Sequence, residues 1–133
     1  MKYLFSIYLC IIFNFSIAQT WSPVGNGVSG TVTCFAIYNG ELYAGGQFIY
    51  PGEDYSFGLL KWNGNSFDTL VGNYLLGNSR VEAMAVYNNE LFIGGAFTTG
   101  NTDYPSVFDY IAKWNGTAFL PVGTGCDNVV YSI

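Results

Sequence analysis

The sequence predicts an all-β protein built from repeated four-stranded antiparallel sheets. Three observations carry this. The stretch VTCFAIYNGELYAGGQF, beginning at Val32, returns as VEAMAVYNNELFIGGAF at Val81, 49 residues later. Of 133 residues, 19% are aromatic, only 10% are charged and 17 are glycine. That mixture suits many short strands joined by tight turns and is too apolar for a disordered chain. Within each copy, runs rich in β-branched and aromatic residues alternate with turn formers, and no helical period is present.

The first 18 residues read as a targeting segment and lie outside the predicted fold. Lys2 is a minimal basic start, residues 3–15 form an apolar run interrupted by Asn14, and Ser16-Ile17-Ala18 is a small-x-small cleavage site before Gln19. The apolar run is shorter than the roughly 20 residues a membrane helix needs. The expectation is a cleaved export signal, a product secreted or held at the cell surface, and no transmembrane span after cleavage. Cys10 lacks the small residue expected two positions before a lipoprotein cysteine, where Tyr8 stands.

The mature chain opens on Trp21-Ser22-Pro23-Val24-Gly25. That phrase returns as Phe67-Asp68-Thr69-Leu70-Val71-Gly72 and as Phe119-Leu120-Pro121-Val122-Gly123. The chain therefore starts in the last part of a repeat. The first strand of each repeat spans 32–38 and 81–87, where β-branched and aromatic residues favour extended backbone. Asn39-Gly40 follows, a hairpin signal because both residues tolerate positive φ, and Asn88-Asn89 takes its place in the second copy. The second strand spans 41–48 and 90–97. Its glycine pairs, Gly45-Gly46 and Gly94-Gly95, weaken a strand unless something passes close to it. The third strand spans 59–62 and 111–114, each ending in Lys-Trp. Asn63-Gly64 and Asn115-Gly116 then turn the chain into a fourth strand, over 67–71 and 119–122.

A four-stranded antiparallel meander recurring every 49 residues is the signature of a β-propeller blade. About two blades are present, an incomplete ring. The expected organisation is a signal at 1–18, a closing outer strand and link at 19–30, repeats at 31–79 and 80–128, and the start of a third at 129–133, where Val130-Tyr131-Ser132-Ile133 begins the motif again. A β-sandwich uses the same number of strands but gives no reason for whole phrases to recur at a fixed offset.

The pattern Y-N-G-x-L-Y-x-G-G-x-F, then K-W-N-G, then P-V-G, resembles Kelch-like and galactose-oxidase-like propeller repeats. It looks most like those of large secreted bacterial surface proteins, and the likeness covers about residues 19–133. It implies further blades and a C-terminal sorting domain, neither of which this sequence contains. The expectation is an N-terminal fragment of a longer protein. The alternative is a short subunit, complete as it stands, that closes a ring by oligomerising as a carbohydrate-binding propeller. Copper chemistry of the galactose oxidase kind would need ligands that are absent here.

Function is less legible than fold, because propellers host many activities. The net charge of −5 becomes −6 once Lys2 leaves with the signal, and no basic patch is present. That argues against nucleic acid and anionic membranes as partners. No histidine occurs, so a serine or cysteine nucleophile lacks its usual base, and no metal-ligand spacing is found. No enzyme activity, cofactor or metal is expected in this chain, although an enzyme remains an alternative for a longer protein. Cys34 and Cys126 remain after cleavage, and packing as two unpaired small apolar residues is favoured over a disulfide.

The strands repeat while two long connections do not. One carries Tyr50, Glu53, Asp54 and Tyr55, and the other Asp103, Tyr104, Asp109 and Tyr110. Aromatics beside carboxylates can stack on and hydrogen-bond a sugar or a peptide, and these eight residues are the candidate binding set for an unidentified protein or carbohydrate ligand. Acids solvating a loop and aromatics capping a core are the plainer reading. Glu41 and Glu90 recur as solvated strand ends, Lys61 and Lys113 as charges guarding an outer strand, and Trp62 and Trp114 as packing between blades.

Overall fold

The computed structural model describes residues 20–49, 56–70, 79–98 and 108–133. The expected signal at 1–18 lies outside them. The described chain is all β, with two four-stranded antiparallel sheets that stand open and do not close into a ring. The first sheet, blade 1, has strands β1 (Gly30–Tyr38), β2 (Glu41–Ile49), β3 (Ser56–Trp62) and β4 (Phe67–Thr69), in that spatial order. Blade 2 has β5 (Arg80–Tyr87), β6 (Glu90–Ala96), β7 (Ile111–Trp114) and β8 (Phe119–Pro121), again in chain order. The predicted strands are all present, within a few residues at their ends. Residues 21–25 form no strand, and Trp21 is 99% exposed.

The turns behave as their residues dictate. Asn39 and Gly40 have φ of 52° and 76°, and Asn88 and Asn89 have 48° and 60°. Positive φ at both central residues is the hairpin geometry whose twist matches the flanking strands. The β3–β4 and β7–β8 turns use side chains as well. The Asn63 Oδ1 accepts from the N–H groups of Asn65 and Ser66, both at 2.8 Å. Asn115 repeats this with Thr117 and Ala118, both at 2.9 Å. An asparagine side chain standing in for a backbone acceptor is why this residue opens both turns.

Two features had no clear sequence signal. The β1–β2 register shifts between Val32 and Cys34, and the β5–β6 register between Val81 and Ala83. The first strand of each blade therefore bulges at the same repeat position, at Thr33 and at Glu82, and blade 1 has a further register shift between β2 and β3, at Gly45–Phe48. In addition, Lys61 and Lys113 lie on third strands, which are paired on both sides. They do not guard an edge, since the edge strands are β1 and β4 in blade 1 and β5 and β8 in blade 2.

The blades pack face to face, with β1, β2 and β3 against β5. The glycine pairs divide the work. A Cβ on Gly46 would stand 2.0 Å from the Thr31 carbonyl oxygen of the neighbouring strand, and one on Gly95 would stand 2.1 Å from that of Arg80. Gly45 instead forms a cradle for the next blade: a Cβ there would meet Val81 Cγ1 at 2.7 Å and the Cys34 sulfur at 2.6 Å. Val81 is wholly buried on it. The core formed at this boundary joins Tyr38, Tyr43 and Leu59 of blade 1 to Val81, Leu91, Ile93, Trp114 and Phe119 of blade 2. Burying each large apolar side chain stabilises the fold by roughly 1.5–3 kcal/mol, so this shared face is the main source of tertiary stability.

Hydrogen bonds cross the same boundary. The bulged Thr33 hydroxyl donates to the Val81 carbonyl, and the Tyr38 hydroxyl donates to the Asn89 carbonyl at 3.1 Å. Identical repeat positions differ in burial according to whether a blade covers them. Tyr38 is 2% exposed, while Tyr87, its counterpart, is 66% exposed.

Candidate functional site

Of the eight residues expected to bind a ligand, Tyr50, Glu53, Asp54, Tyr55, Asp103 and Tyr104 lie outside the described residues. Asp109 and Tyr110 are described, and both are half-buried at the foot of the β6–β7 connection. They are held by the backbone. The Tyr110 N–H donates to the Phe97 carbonyl at 3.0 Å, and the Tyr110 carbonyl accepts from Gly95 at 3.1 Å. This pairing extends the β6–β7 ladder past Ile111. It also forces Tyr110 to φ of 62°. That is a sparsely populated region for a bulky side chain, at a cost of order 1–3 kcal/mol. Blade 1 has a glycine, Gly58, at the equivalent repeat position, where it lies inside β3 and has no positive φ.

Asp109 meets the link that leads into the third copy. Its carbonyl accepts from the Cys126 N–H at 2.8 Å. Gly125, with φ of 83°, packs so closely that a Cβ on it would stand 2.7 Å from the Asp109 Cβ. In blade 1 the corresponding end is tied by the Ile49 N–H, which donates to the Ser29 carbonyl at 2.9 Å. The link before each first strand therefore shares an end of its blade with the long connection, as a meander requires. The tight turns occupy the opposite end.

The recurring polar residues at the turn end are engaged with one another. Lys61 Nζ contacts Glu41 Oε1 at 2.9 Å, and Lys113 Nζ contacts Glu90 Oε1 at 2.9 Å. Each pair joins the start of a second strand to the end of a third, so the acids are more than solvated strand ends. Hydrogen bonds from Lys61 and then from the Tyr43 hydroxyl hold the Glu41 carboxyl below the usual range, and the same contact with Glu41 raises Lys61. Glu41 and Glu90 are thus each occupied within their own blade. Burial pushes the Tyr43 hydroxyl pKa up, partly opposed by the Trp114 indole. The indole nitrogen is buried and makes no hydrogen bond of full geometry, so its contact with Tyr43 is a weak one. Trp62 and Trp114 stack at a tilt on Phe67 and Phe119, with ring centroids 5.0 Å and 4.7 Å apart. Trp114 is a core residue, and Trp62 is its half-buried counterpart.

Cys34 and Cys126 are both unpaired and half-buried. Burial raises the Cys34 thiol, against smaller opposing contributions from hydrogen bonds with Thr33 and Gly45. Among the described residues no three of Cys, Asp and Glu come together as a metal site, and no helix is long and apolar enough to cross a membrane. A cavity of about 210 Å³ opens on the uncovered face of blade 1, lined by Val28, Phe48, Leu60 and Phe67 with Asn26 and Ser66 among its polar rim.

No protein-family model matches the chain, and no curated protein or solved structure is similar to it at significance.

Proposed function

We propose that this chain is a noncatalytic recognition module of Kelch-like propeller repeats, exported to the cell surface or beyond, and that it binds through the connections between second and third strands. One observation supports the reading above others. The recurring polar residues have jobs inside the scaffold, as in the Glu41–Lys61 and Glu90–Lys113 pairs and the Asn63 and Asn115 turns. The residues left over for recognition are those that do not recur, the acids and aromatics of the two long connections. Tyr110 adds weight, because a bulky side chain is held at positive φ at the foot of one of them, whereas Gly58, its counterpart in the other copy, has no positive φ. Strain kept at one point of a repeat marks a position where folding and function compete.

The ligand class this chemistry fits is a carbohydrate or a short peptide, stacked on tyrosine and hydrogen-bonded to carboxylate. The lack of histidine and the small number of charges favour binding over catalysis. A glycan array and a peptide array probed with the purified chain test this. Binding that Asp109→Ala and Tyr110→Gly weaken, while Glu41→Gln does not, supports the reading. Binding lost through Glu41→Gln but kept in the two loop variants would move the site to the turn end and refute it.

A further inference from the structure

We propose that the chain docks head to tail with a second copy of itself. The face of blade 2 that carries Tyr87, Phe92 and Ile111, and whose Gly94 seat is held by residues 129–133, receives the uncovered face of blade 1 of the other copy, with Val32, Phe35 and Ile37. The template is the boundary inside the molecule. Blade 1 offers Tyr38, Tyr43, Gly45 and Leu59 to blade 2, and blade 2 carries Tyr87, Phe92, Gly94 and Ile111 at the same repeat positions. The covered set is buried, at 2%, 1% and 0% exposed for Tyr38, Tyr43 and Leu59. In the uncovered set Tyr87 is 66% exposed, and Phe92 and Ile111 are half-buried.

The opposite faces correspond in the same way. Val81 and Met84 of blade 2 lie against the Gly45 cradle, with Met84 Cε 3.2 Å from where a Cβ would stand. Their counterparts on blade 1 are Val32 and Phe35, which are 37% and 59% exposed, and Ile37 beside them is 71% exposed. The 210 Å³ cavity belongs to this face as well. On blade 2 the matching residues Phe97, Ala112 and Phe119 are buried in the shared core, against which Leu70 packs from the end of blade 1. Val122 follows β8 as Leu70 follows β4, and it is the side chain a second copy brings to that cavity. The Tyr38 bond to Asn89 also has a counterpart, since the Tyr87 hydroxyl then faces the Gly40 carbonyl. The Thr33 bond does not: Glu82 takes that position and is paired with Arg80.

The Gly94 cradle is already filled by the chain's own third copy. Val130 Cγ1 lies 2.5 Å from where a Cβ would stand, and Ile133 Cδ1 lies at 3.1 Å. Val130 thus holds on blade 2 the place that Val81 holds on blade 1, and Val32 of a second copy must displace it. Docking therefore competes with residues 129–133, and loosening that segment strengthens association. The contact uses two different patches, so it propagates unless the rotation between copies closes it. It requires no ligand.

Sedimentation velocity of the purified chain over a concentration series tests this, with circular dichroism as a check that each variant is folded. Phe35 and Tyr87 are exposed in a single copy, so Phe35→Asp and Tyr87→Asp leave the fold intact. The wild-type chain self-associates, and each variant alone raises the dissociation constant about tenfold or more. Mixed together, the two variants form a one-to-one pair and stop there, because each retains one competent face. Val130→Ser lowers the dissociation constant. A wild-type chain and a Val130→Ser chain that both stay monomeric up to about 1 mM overturn the proposal. So does self-association that neither aspartate changes, a mixture that fails to pair, or a Val130→Ser chain that associates no better than wild type.

Discussion

Replacing Gly46 with alanine tests the reasoning about the glycine pairs most directly. Gly46 does not have positive φ, so alanine is conformationally permitted and only space opposes it. The added Cβ would lie 2.0 Å from the Thr31 carbonyl oxygen, where ordinary contact begins at 3.4 Å. That oxygen belongs to the backbone of β1 and cannot swing aside as a side chain can. The strands must separate locally, with loss of pairing near Gly46 and Val32. Overpacking commonly costs 1–3 kcal/mol, and a clash with backbone puts this case at about 3 kcal/mol or above. Reduced unfolded-state entropy returns at most about 1 kcal/mol. The atoms nearest an added Cβ on Gly45 belong to side chains, those of Cys34, Val81 and Met84, so Gly45→Ala costs less, about 1–2 kcal/mol after the same correction. Urea unfolding followed by circular dichroism measures both. With a slope of about 1–3 kcal/mol per molar, Gly46→Ala lowers the midpoint by about 1 M or more. A Gly46→Ala protein within about 0.5 kcal/mol of wild type, or one more stable than Gly45→Ala, refutes the division of work between the two glycines.

Three further outcomes follow from contacts at the turns and the blade boundary. Tyr38→Phe removes the bond to Asn89 and costs about 1 kcal/mol, while Tyr87→Phe at the uncovered equivalent position changes stability by less than about 0.5 kcal/mol; equal effects in urea unfolding would contradict the boundary. Asn115→Ala loses the Oδ1 that accepts from Thr117 and Ala118, at about 1 kcal/mol, and Asn115→Asp recovers most of it. Asn63→Asp recovers less, because its Nδ2 donates to Asp68 at 2.6 Å and a carboxylate there would face a second one. The Glu41 carboxyl is lowered by Lys61 and Tyr43, so its stabilising contribution is present above the unfolded glutamate pKa and is lost as pH falls through the lower folded value. NMR titration of Glu41 shows a midpoint below the ordinary glutamate range, and Lys61→Met moves it back up; a midpoint indifferent to Lys61 contradicts the pair.

Much of the fold was legible because turns and repeats are local. Asn39-Gly40 declares its hairpin through two residues that tolerate positive φ, and the recurrence of whole phrases separates blades from a generic set of strands. What escaped the sequence depends on distance across the sheet. The Glu41–Lys61 and Glu90–Lys113 pairs join positions that recur at different offsets, so neither partner points to the other. The bulges at Thr33 and Glu82 fall on residues with nothing in common, because a bulge is defined by register against the partner strand. Thr33 owes its reach to the neighbouring blade to that unseen extra residue. Residues 21–25 repeat a fourth-strand phrase yet form no strand, since a strand needs a partner as well as a propensity. Of the candidate binding site, Asp109 and Tyr110 could be followed into the structure, and the φ of Tyr110 was invisible in a sequence where tyrosine is common.

The Gly45 cradle and Val81 have a consequence for how such a chain can grow. Each repeat carries a socket on one face and a matching plug on the other. An in-frame duplication of the encoding segment therefore copies both halves of the joint together, and the new unit fits its neighbours without a compensating change. Length differences outside the joint are tolerated: the second copy reaches its third strand three residues later than the first, while Val81 and Val130 occupy equivalent seats. Selection can thus lengthen and rewrite one end of each unit while the mating parts stay interchangeable.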